Sequence, residues 1–530
     1  MEKNRLTDLG VLLKDALANI AAHDQYDASI KKESTLHAPD MGNGLLFAYE
    51  QLRNVSENIE NHLLLQSAIL RFYKRNLSFG LKKAPTELAQ ELVIELTQAE
   101  YLKNDATSLS KIALIDSYIT EQYESYWKIL KRDKNVRQEQ AQKWTLDILT
   151  VKTEQVFNNP IRLLSFAAFA YAHFDSLLTT RDYVVEGEQV DAADETILLY
   201  VSVHKALLKS NDANIRNAII DLYGIKDSDI SHFIQINKKL DTLSGLKTTA
   251  KLSRIVSKNG APLRILQASF FKRTTDPLGV SITNESHVLA HVEIQVNEEY
   301  RQVQRTVRQG VVKSIIFLLI TKALIGLIIE IPYDILVYGA ILVLPLAVNL
   351  LFPPLFIAIT ALTFRMPSST NKKAIVSYVQ SMLYHSAHEA PQLKYQPPTK
   401  PSYLFNTIYT IMFVGVFYLV AQLLIYLEFN VVQAIIFFIF LSTASFLGYR
   451  LTLHIRELEL VTRNQGFITL IRDFLYAPFI FVGRKISYRF ARMNIIAQLS
   501  DIVIELPLKT VLRLMRQWST FLNNKKDELL

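Results

Sequence analysis

Three ionisable residues lie in an otherwise apolar stretch and are the residues of this sequence best placed for chemistry. Lys322 sits near the middle of SIIFLLITKALIGLIIEIPYD, Glu330 follows two helical turns later, and Asp334 ends the stretch. An unpaired ammonium at the centre of a bilayer costs at least about 2.5 kcal/mol, so Lys322 must face a partner or a wet cavity. Glu330 lies about 12 Å away by helical rise, which predicts no direct contact between the two side chains without further help.

The residue pattern leaves two interpretations of Lys322 open. In the first, Lys322 belongs to a polar pathway with Asn349 or Gln422, as in a transporter or a channel subunit. In the second, it is a structural anchor between helices, or it lies nearer the membrane surface and extends its ammonium there. The candidate intramembrane polar site therefore consists of Lys322, Glu330, Asp334 and Asn349.

Motifs of known catalytic chemistry are absent from the sequence. It contains no GxxxxGK[ST], GxGxxG, HExxH or GxSxG motif and no kinase signature, and it has no cysteine. His385, His388 and Glu389 form the densest metal-capable group, but HSAHE lacks a further ligand, which favours an ordinary polar surface. We therefore expect neither a cofactor nor a metal, and a membrane enzyme is the weakest functional hypothesis.

Four apolar segments are long enough to cross a bilayer, which requires about 20 residues each. Pro345 and the pair Pro353-Pro354 interrupt the second one, and consecutive prolines predict a break or a kink. The favoured outcome is a full span followed by a short interfacial piece over 355–364; the alternative is a discontinuous helix lining an ion or substrate site. The predicted spans are 314–331, 335 to about 352 or on to 364, 404–427 and 430–449.

Basic residues near the span ends predict the orientation. They all fall on one side of the membrane, whereas the charged residues of the two turns on the other side are all acidic. The positive-inside rule then places both termini in the cytoplasm and the protein in the cytoplasmic (inner) membrane. Three of the basic residues share one helix face before the first span and are candidate contacts to anionic lipid headgroups, with an ordinary solvated face as the alternative. These are Arg301, Arg305 and Arg308.

The region before the spans reads as amphipathic helices separated by short breakers, over residues 1–283. A charged loop over 180–191 divides it into two possible subdomains. Between 286 and 313 a strand-like alternation competes with a longer helical row, which favours a stalk helix. Ser108 opens one helix whose core-facing residues are predicted to be Ile112, Ile115, Ile119, Tyr123 and Trp127. Further helices are predicted over 137–157, 161–178, 192–209, 212–223, 228–241 and 263–272.

Two segments follow the spans. The stretch 467–483 is nearly span-length, but Arg472, Asp473 and Pro478 interrupt it, which predicts an interfacial helix rather than a fifth span. The last helix carries an apolar face with basic residues opposite, which fits a helix in the headgroup layer with Trp518 at the interface; packing on the helical region is the alternative. The basic residues of that helix, further candidate headgroup contacts, are Lys509, Arg513 and Arg516.

Two blocks of this sequence resemble a known group of proteins. KSIIFLLITKALIGLIIEIPYD (313–334) and ISYRFARMNIIAQLSDIVIELPLKTVLRLMRQWSTFLNNKKDEL (486–529) are similar to uncharacterised multi-pass membrane proteins of candidate-phylum bacteria. The likeness covers the C-terminal part of the chain. It implies a bacterial cytoplasmic membrane and carries over neither an activity nor a functional residue.

The sequence thus predicts an all-α protein with a large helical cytoplasmic region, four transmembrane helices and C-terminal amphipathic helices. The first functional hypothesis is a membrane-anchored scaffold or interaction protein; the alternative is a transporter or channel subunit. Expected partners are the lipid bilayer with its anionic headgroups, a cytoplasmic protein and further copies of the chain. A net charge of +8 is too mild to indicate nucleic-acid binding. The predicted regions are 1–283, 284–313, 314–364, 365–403, 404–449 and 450–530.

Overall fold

The computed structural model is helical throughout the residues it describes, with two isolated β-bridges there and no strand. The all-α prediction is therefore confirmed. Contacts divide the chain into two compact units. We name Leu12–Val256 with Asn494–Leu530 the helical unit, and Met1–Val11 with Ser257–Met493 the membrane unit. The described residues are 6–29, 34–38, 50, 61–77, 79, 87–178, 190–225, 229–271, 282–385, 403–461, 467–493, 514, 518, 521 and 525.

The helices before residue 260 match the predicted ones closely, and one between 247 and 259 was not predicted. A π turn over His204–Leu208 continues α7, and the predicted loop over 180–191 lies almost wholly outside the described residues. The bounds are α1 (Asp8–Ser29), α2 (Leu64–Asn76), α3 (Leu88–Gln98), α4 (Leu109–Arg132), α5 (Gln138–Phe157), α6 (Ile161–Leu177), α7 (Ala192–Val203), α8 (Asp212–Leu222), α9 (Ile230–Ser244) and α10 (Lys247–Asn259).

Helix α4 shows how the sequence pattern becomes a packed helix. The Ser108 side chain accepts a hydrogen bond from the Lys111 backbone N–H and so caps the helix. Ile115, Ile119 and Tyr123 are buried as predicted. Trp127 is 44% exposed, so its assignment to the core was wrong. The buried row continues instead through Tyr126, whose ring packs edge-on against that of Trp127.

Among the described residues, the membrane unit contains four helices that are long and apolar enough to cross a membrane, which confirms the prediction of four candidate spans. They are the continuous helix Glu285–Tyr338, then Val343–Leu362, Thr407–Tyr426 and Val431–Arg456. The bounds are α11 (Ala261–Leu266), α12 (Glu285–Ile325), α13 (Ile331–Tyr338), α14 (Val343–Leu362), α15 (Ser369–Leu383), α16 (Tyr403–Tyr426), α17 (Val431–Arg456) and α18 (Phe467–Met493). The predicted stalk helix is confirmed, because α12 runs without interruption into the first span.

The second span differs from its prediction at both ends. Gly339, at a φ of +71°, ends α13, so the span begins at Val343 rather than at 335. The helix then continues through Pro353 and Pro354, so the predicted break is wrong, whereas a kink at the prolines and the depth of 355–364 in the bilayer stay predictions. Both prolines are buried, and packing by neighbouring helices supports a helix whose own hydrogen bonds are interrupted.

Helix α18 packs against the candidate spans but is not itself one of the four candidate spans. Phe479 lies in an apolar cluster with Phe437 and Leu441 of α17 and Val416 of α16. A Cβ added at Gly483 would lie 2.1 Å from the Ser442 carbonyl oxygen, so only glycine permits this close approach of α18 to α17. The depth of 467–483 in the bilayer stays a prediction.

Candidate functional site

A widened turn in the first membrane-spanning helix positions its charged residues. The chain forms a π turn over Gly326–Glu330, directly between α12 and α13. Pro332 follows at the start of α13. A regular α-helix would drive the proline ring against the carbonyl of Ile328, and the wider turn relieves this clash.

The π turn also explains a contact that the sequence analysis excluded. In a regular α-helix, Glu330 would lie about 80° around the axis from Lys322. A π turn takes up one extra residue, which brings Glu330 back to within about 20° of the same face. The Lys322 ammonium donates to Glu330 Oε1 in a direct ion pair. The prediction of no direct contact was therefore wrong: it compared only the positions of the two residues along the helix axis, and two long side chains on one face span that rise.

This ion pair is shielded from solvent and has further partners. Lys322 is 1% exposed and Glu330 0%. The ammonium lies 5.0 Å from the centre of the Phe440 ring on α17, a cation–π distance. The second oxygen of Glu330 accepts a 3.0 Å hydrogen bond from Asn349 Nδ2 on α14. Helices α12, α14 and α17 thus all contribute to the surroundings of one charge pair.

Asp334 is bound by the first turn of α17. Asn430 Nδ2 donates to Asp334 Oδ1 at 2.8 Å, and Gln433 Nε2 donates to Oδ2 at 2.9 Å. Asn430 and Gln433 also form a reciprocal capping box that starts α17. The backbone N–H of Leu342 lies 3.3 Å from Asp334 Oδ2, so the loop before α14 is fixed to the same carboxylate.

One bond joins the two carboxylates into a single network. Asn349 Nδ2 also donates to the Gln433 carbonyl oxygen at 3.2 Å, so it connects the surroundings of Glu330 with those of Asp334. We name this set the polar cluster. All its side chains are at most 6% exposed, in an apolar setting where unsatisfied polar groups are costly. Its members are Lys322, Glu330, Asp334, Asn349, Asn430 and Gln433.

The structure therefore brings all four predicted intramembrane residues together and adds two more. Asn430 and Gln433 were missed, although their spacing in NVVQ is a capping-box pattern before an apolar run and could have indicated them. Gln422, considered as a partner of Lys322, is exposed on α16 and is not part of the polar cluster. Within the cluster, Asn349 Oδ1 has no hydrogen-bond partner among the described residues.

The predicted headgroup contacts divide between described and undescribed parts of the chain. Arg301 and Arg305 are exposed on α12, as is Arg308 one turn later. Lys509, Arg513 and Arg516 lie outside the described residues. Contact with lipid headgroups stays a prediction for both groups, and the exposure of the first three makes them accessible to it.

A second polar contact set lies near the other end of α17. Asn371 Oδ1, on α15, accepts from the backbone N–H groups of Leu460 and Val461 at 2.8 and 3.0 Å. Its Nδ2 donates to the Leu458 carbonyl oxygen at 2.8 Å. Arg264 donates to the Glu457 carbonyl oxygen at 2.8 Å, and burial lowers the pKa of its guanidinium. Both ends of α17 are thus held by buried polar side chains.

Metal chemistry has no donor set in the described part of the chain, where no three His, Cys, Asp or Glu residues are grouped for a metal ion. His388 and Glu389 lie outside the described residues.

Comparisons of this chain with known protein families, curated proteins and solved structures find no match.

Proposed function

We propose that this protein is a membrane-anchored interaction protein whose helical unit binds a protein partner at the cytoplasmic surface. The observation that carries this proposal is the internal pairing of the polar cluster. Lys322, Glu330 and Asp334 are each bonded to another residue of the spans, so these charges fix the helices to one another. The sequence supported transport mainly through these residues. Their bonds to one another within the fold make transport less favoured.

The energetics of buried charges support an anchoring role. Each ion removed from water costs several kcal/mol, which is recovered only with good geometry and further hydrogen bonds. Glu330 has the ammonium and the Asn349 amide, and Asp334 has two amide donors and a backbone N–H. Such a network favours one arrangement of helices, because a slip of α17 would remove both amide donors from Asp334 and a slip of α14 would remove the Asn349 bond to Glu330.

The helical unit supplies a surface for a partner. Trp127 is an exposed aromatic residue on the longest helix of that unit, α4. Tryptophan is enriched among the residues that dominate binding energy at interfaces. We therefore take Trp127 as the candidate anchor for the partner.

Location and orientation belong to the same proposal. The positive-inside rule and the resemblance of 313–334 and 486–529 to bacterial multi-pass proteins support a bacterial cytoplasmic membrane with both termini inside. Arg301, Arg305 and Arg308 would then lie on the side of anionic headgroups, where each contributes about 1 kcal/mol.

The test is quantitative recovery of partners from the native membrane after cross-linking, with the tagged full chain. The wild-type chain and the double variant Lys322→Met, Glu330→Gln are expected to recover the same stoichiometric protein. Trp127→Ala is expected to reduce its recovery about tenfold, whereas the neighbouring exposed variant Lys128→Ala leaves it unchanged. Recovery of the tagged chain alone, as a homo-oligomer, would contradict the proposal.

Transport is the second candidate, and Asn349 favours it. Its Oδ1 is buried beside the Lys322–Glu330 pair and has no partner among the described residues, which leaves an acceptor that a passing cation or proton carrier could use. Reconstituted vesicles separate the two candidates. A cation or proton flux that wild-type protein supports, and that Lys322→Met with Glu330→Gln abolishes while the protein stays folded, would establish transport.

A further inference from the structure

A cavity in the helical unit has no part in the proposed function. Its volume is about 200 Å³, and it lies between residues of α5, α6 and α8, the start of α2 and the π turn after α7. Cavities of about 150 Å³ hold a benzene-sized molecule, so this one has room for a small organic ligand. Single π turns in helices are frequent at functional sites.

Two buried side chains in its lining each have an unused polar atom. Asn217 is 2% exposed and donates from Nδ2 to Asp221 Oδ2 at 2.8 Å. Because a carboxylate accepts hydrogen bonds, this contact fixes the amide orientation and leaves Oδ1 as an acceptor without a partner among the described residues. His204 is fully buried, with Nδ1 3.1 Å from Ser210 Oγ, and its Nε2 has no partner there either.

The charge state of the lining favours a ligand that donates hydrogen bonds. Burial lowers the pKa of His204 to about 4, so the imidazole is neutral. When Nδ1–H donates to Ser210, Nε2 is an acceptor. Burial also raises the pKa of Glu154 to about 7, even though the Asn158 side chain bonds to it. None of the described residues that line the cavity is Lys or Arg, so His62 and His204 are the titratable bases beside this carboxylate.

The remainder of the lining combines six apolar residues with five polar ones. Leu163 and Leu164 of α6 face the cavity together with Val151 of α5 and Ala218 of α8. A matching ligand therefore combines a group that donates several hydrogen bonds with a short apolar part. A primary ammonium has three N–H donors, equal to the number of acceptors that Glu154, Asn217 and His204 offer.

We propose that this cavity binds a small primary ammonium compound with a short alkyl chain. The ammonium donates to the Glu154 carboxylate, to Asn217 Oδ1 and to His204 Nε2, and the alkyl chain lies against Leu163 and Leu164. A positive charge paired with Glu154 acts as its counter-ion, and the N–H groups satisfy the two unused acceptors.

The probe is n-butylammonium, titrated into the purified full-length protein in detergent and followed by ligand-observed NMR at about pH 8. Saturable binding is expected. Tetramethylammonium has the same number of heavy atoms and the same charge but no N–H donor, and 1-butanol has no charge. Both are expected to bind at least about tenfold more weakly, since they lack one of the two recognised features.

Variants locate the binding and test its pH dependence. Glu154→Gln and Asn217→Leu are each expected to weaken butylammonium binding about tenfold or more, whereas Glu139→Gln, an exposed change on the same helix, has no effect. Wild-type affinity should rise about tenfold from about pH 6 to about pH 8 as Glu154 ionises, and Glu154→Gln should remove this rise. Absence of saturable binding at pH 8, equal binding of tetramethylammonium, or unchanged binding by Glu154→Gln would show that the cavity holds only water.

Discussion

The two units each bury a charged network, and the networks differ in their access to water. In the helical unit, Arg216 donates to Asp147 Oδ2 at 3.2 Å and to Asp241 Oδ1 at 2.8 Å, and it also bonds to the Asn237 amide oxygen. The Asp241 side chain is 31% exposed. In the polar cluster, by contrast, the Lys322 and Glu330 side chains are 1% and 0% exposed.

This difference decides how each network responds when a partner is lost. In the Arg216 network, burial raises the pKa of Asp147. Hydrogen bonds from Arg216 and Trp144 lower the pKa of Asp241, although burial acts in the opposite direction. Water and protons can therefore compensate for a missing charge. The polar cluster lies within the spans, so a charge left alone there is more costly. An ion pair in the helical unit can therefore lose one partner at a moderate cost, whereas the ion pair within the spans needs both partners.

The largest expected effect is that of Lys322→Met. It leaves Glu330 buried and unpaired, which should lower the free energy of unfolding by about 4 kcal/mol. The measurement is unfolding of the purified protein in mixed micelles with increasing sodium dodecyl sulfate. Lys313→Met, an exposed change on the same helix, is the control. Adding Glu330→Gln should restore most of the lost stability, and a double variant as unstable as the single one would refute pairwise compensation.

Arg216→Met should lower the free energy of unfolding by about 3 kcal/mol at neutral pH. The loss should shrink as the pH falls toward about 4, because Asp147, whose pKa is raised by burial, takes up a proton and no longer needs the guanidinium. Exposed Arg132→Met is the control. Urea titration followed by fluorescence of the buried Trp144 reports the helical unit. An equal loss at both pH values would remove the distinction drawn between the two networks.

The helix caps allow a matched comparison of the units. Ser108→Ala in α4 should cost about 1 kcal/mol, the ordinary value of an N-cap. Asn430→Ala in α17 should cost about 2 kcal/mol, because it also removes a donor from the buried Asp334. Unfolding of each variant beside wild type gives the two values. Equal costs would mean that the bond to Asp334 contributes nothing.

Buried histidines predict the smallest effect, a pH dependence confined to the helical unit. Burial lowers the pKa of His173 and His204 from 6.5 to about 4, so their contribution to stability is lost as the pH falls from about 6.5 toward 4. Glu154, with its pKa raised to about 7, acts in the opposite sense, losing its contribution as the pH rises from about 4.5 to 7.

Two histidines outweigh one glutamate between about pH 4.5 and 6.5, so stability should fall on acidification. His204→Gln should reduce this fall by about 1.4 kcal/mol per pH unit, the value of one proton. The free energy of unfolding at about pH 6 and pH 5 measures it. The exposed His232→Gln should leave the slope unchanged; an unchanged slope in His204→Gln would show that His204 does not titrate as its burial implies.

Prediction from sequence succeeded where periodicity alone decides the outcome. The helices of the region before the spans, the helical stalk and the existence of four spans follow from the spacing of apolar residues, which tertiary contacts reinforce. It failed at Trp127, where the helical row predicted burial, because a row on one helix does not say where the neighbouring helix ends. It failed again at Pro353 and Pro354, because the packing that supports an interrupted helix is not visible in the chain itself.

By itself, the sequence determined an all-helical membrane protein, its four spans, and the presence of Lys322, Glu330, Asp334 and Asn349 among apolar residues. Only the tertiary structure decided that these residues bind one another and that Asn430 and Gln433 join them. The reason is geometric: a π turn shifts the helix phase, and three separate helices meet around one charge pair. The sequence indicates that a charge within an apolar stretch needs a partner. Only the packing of distant segments determines which partner it has.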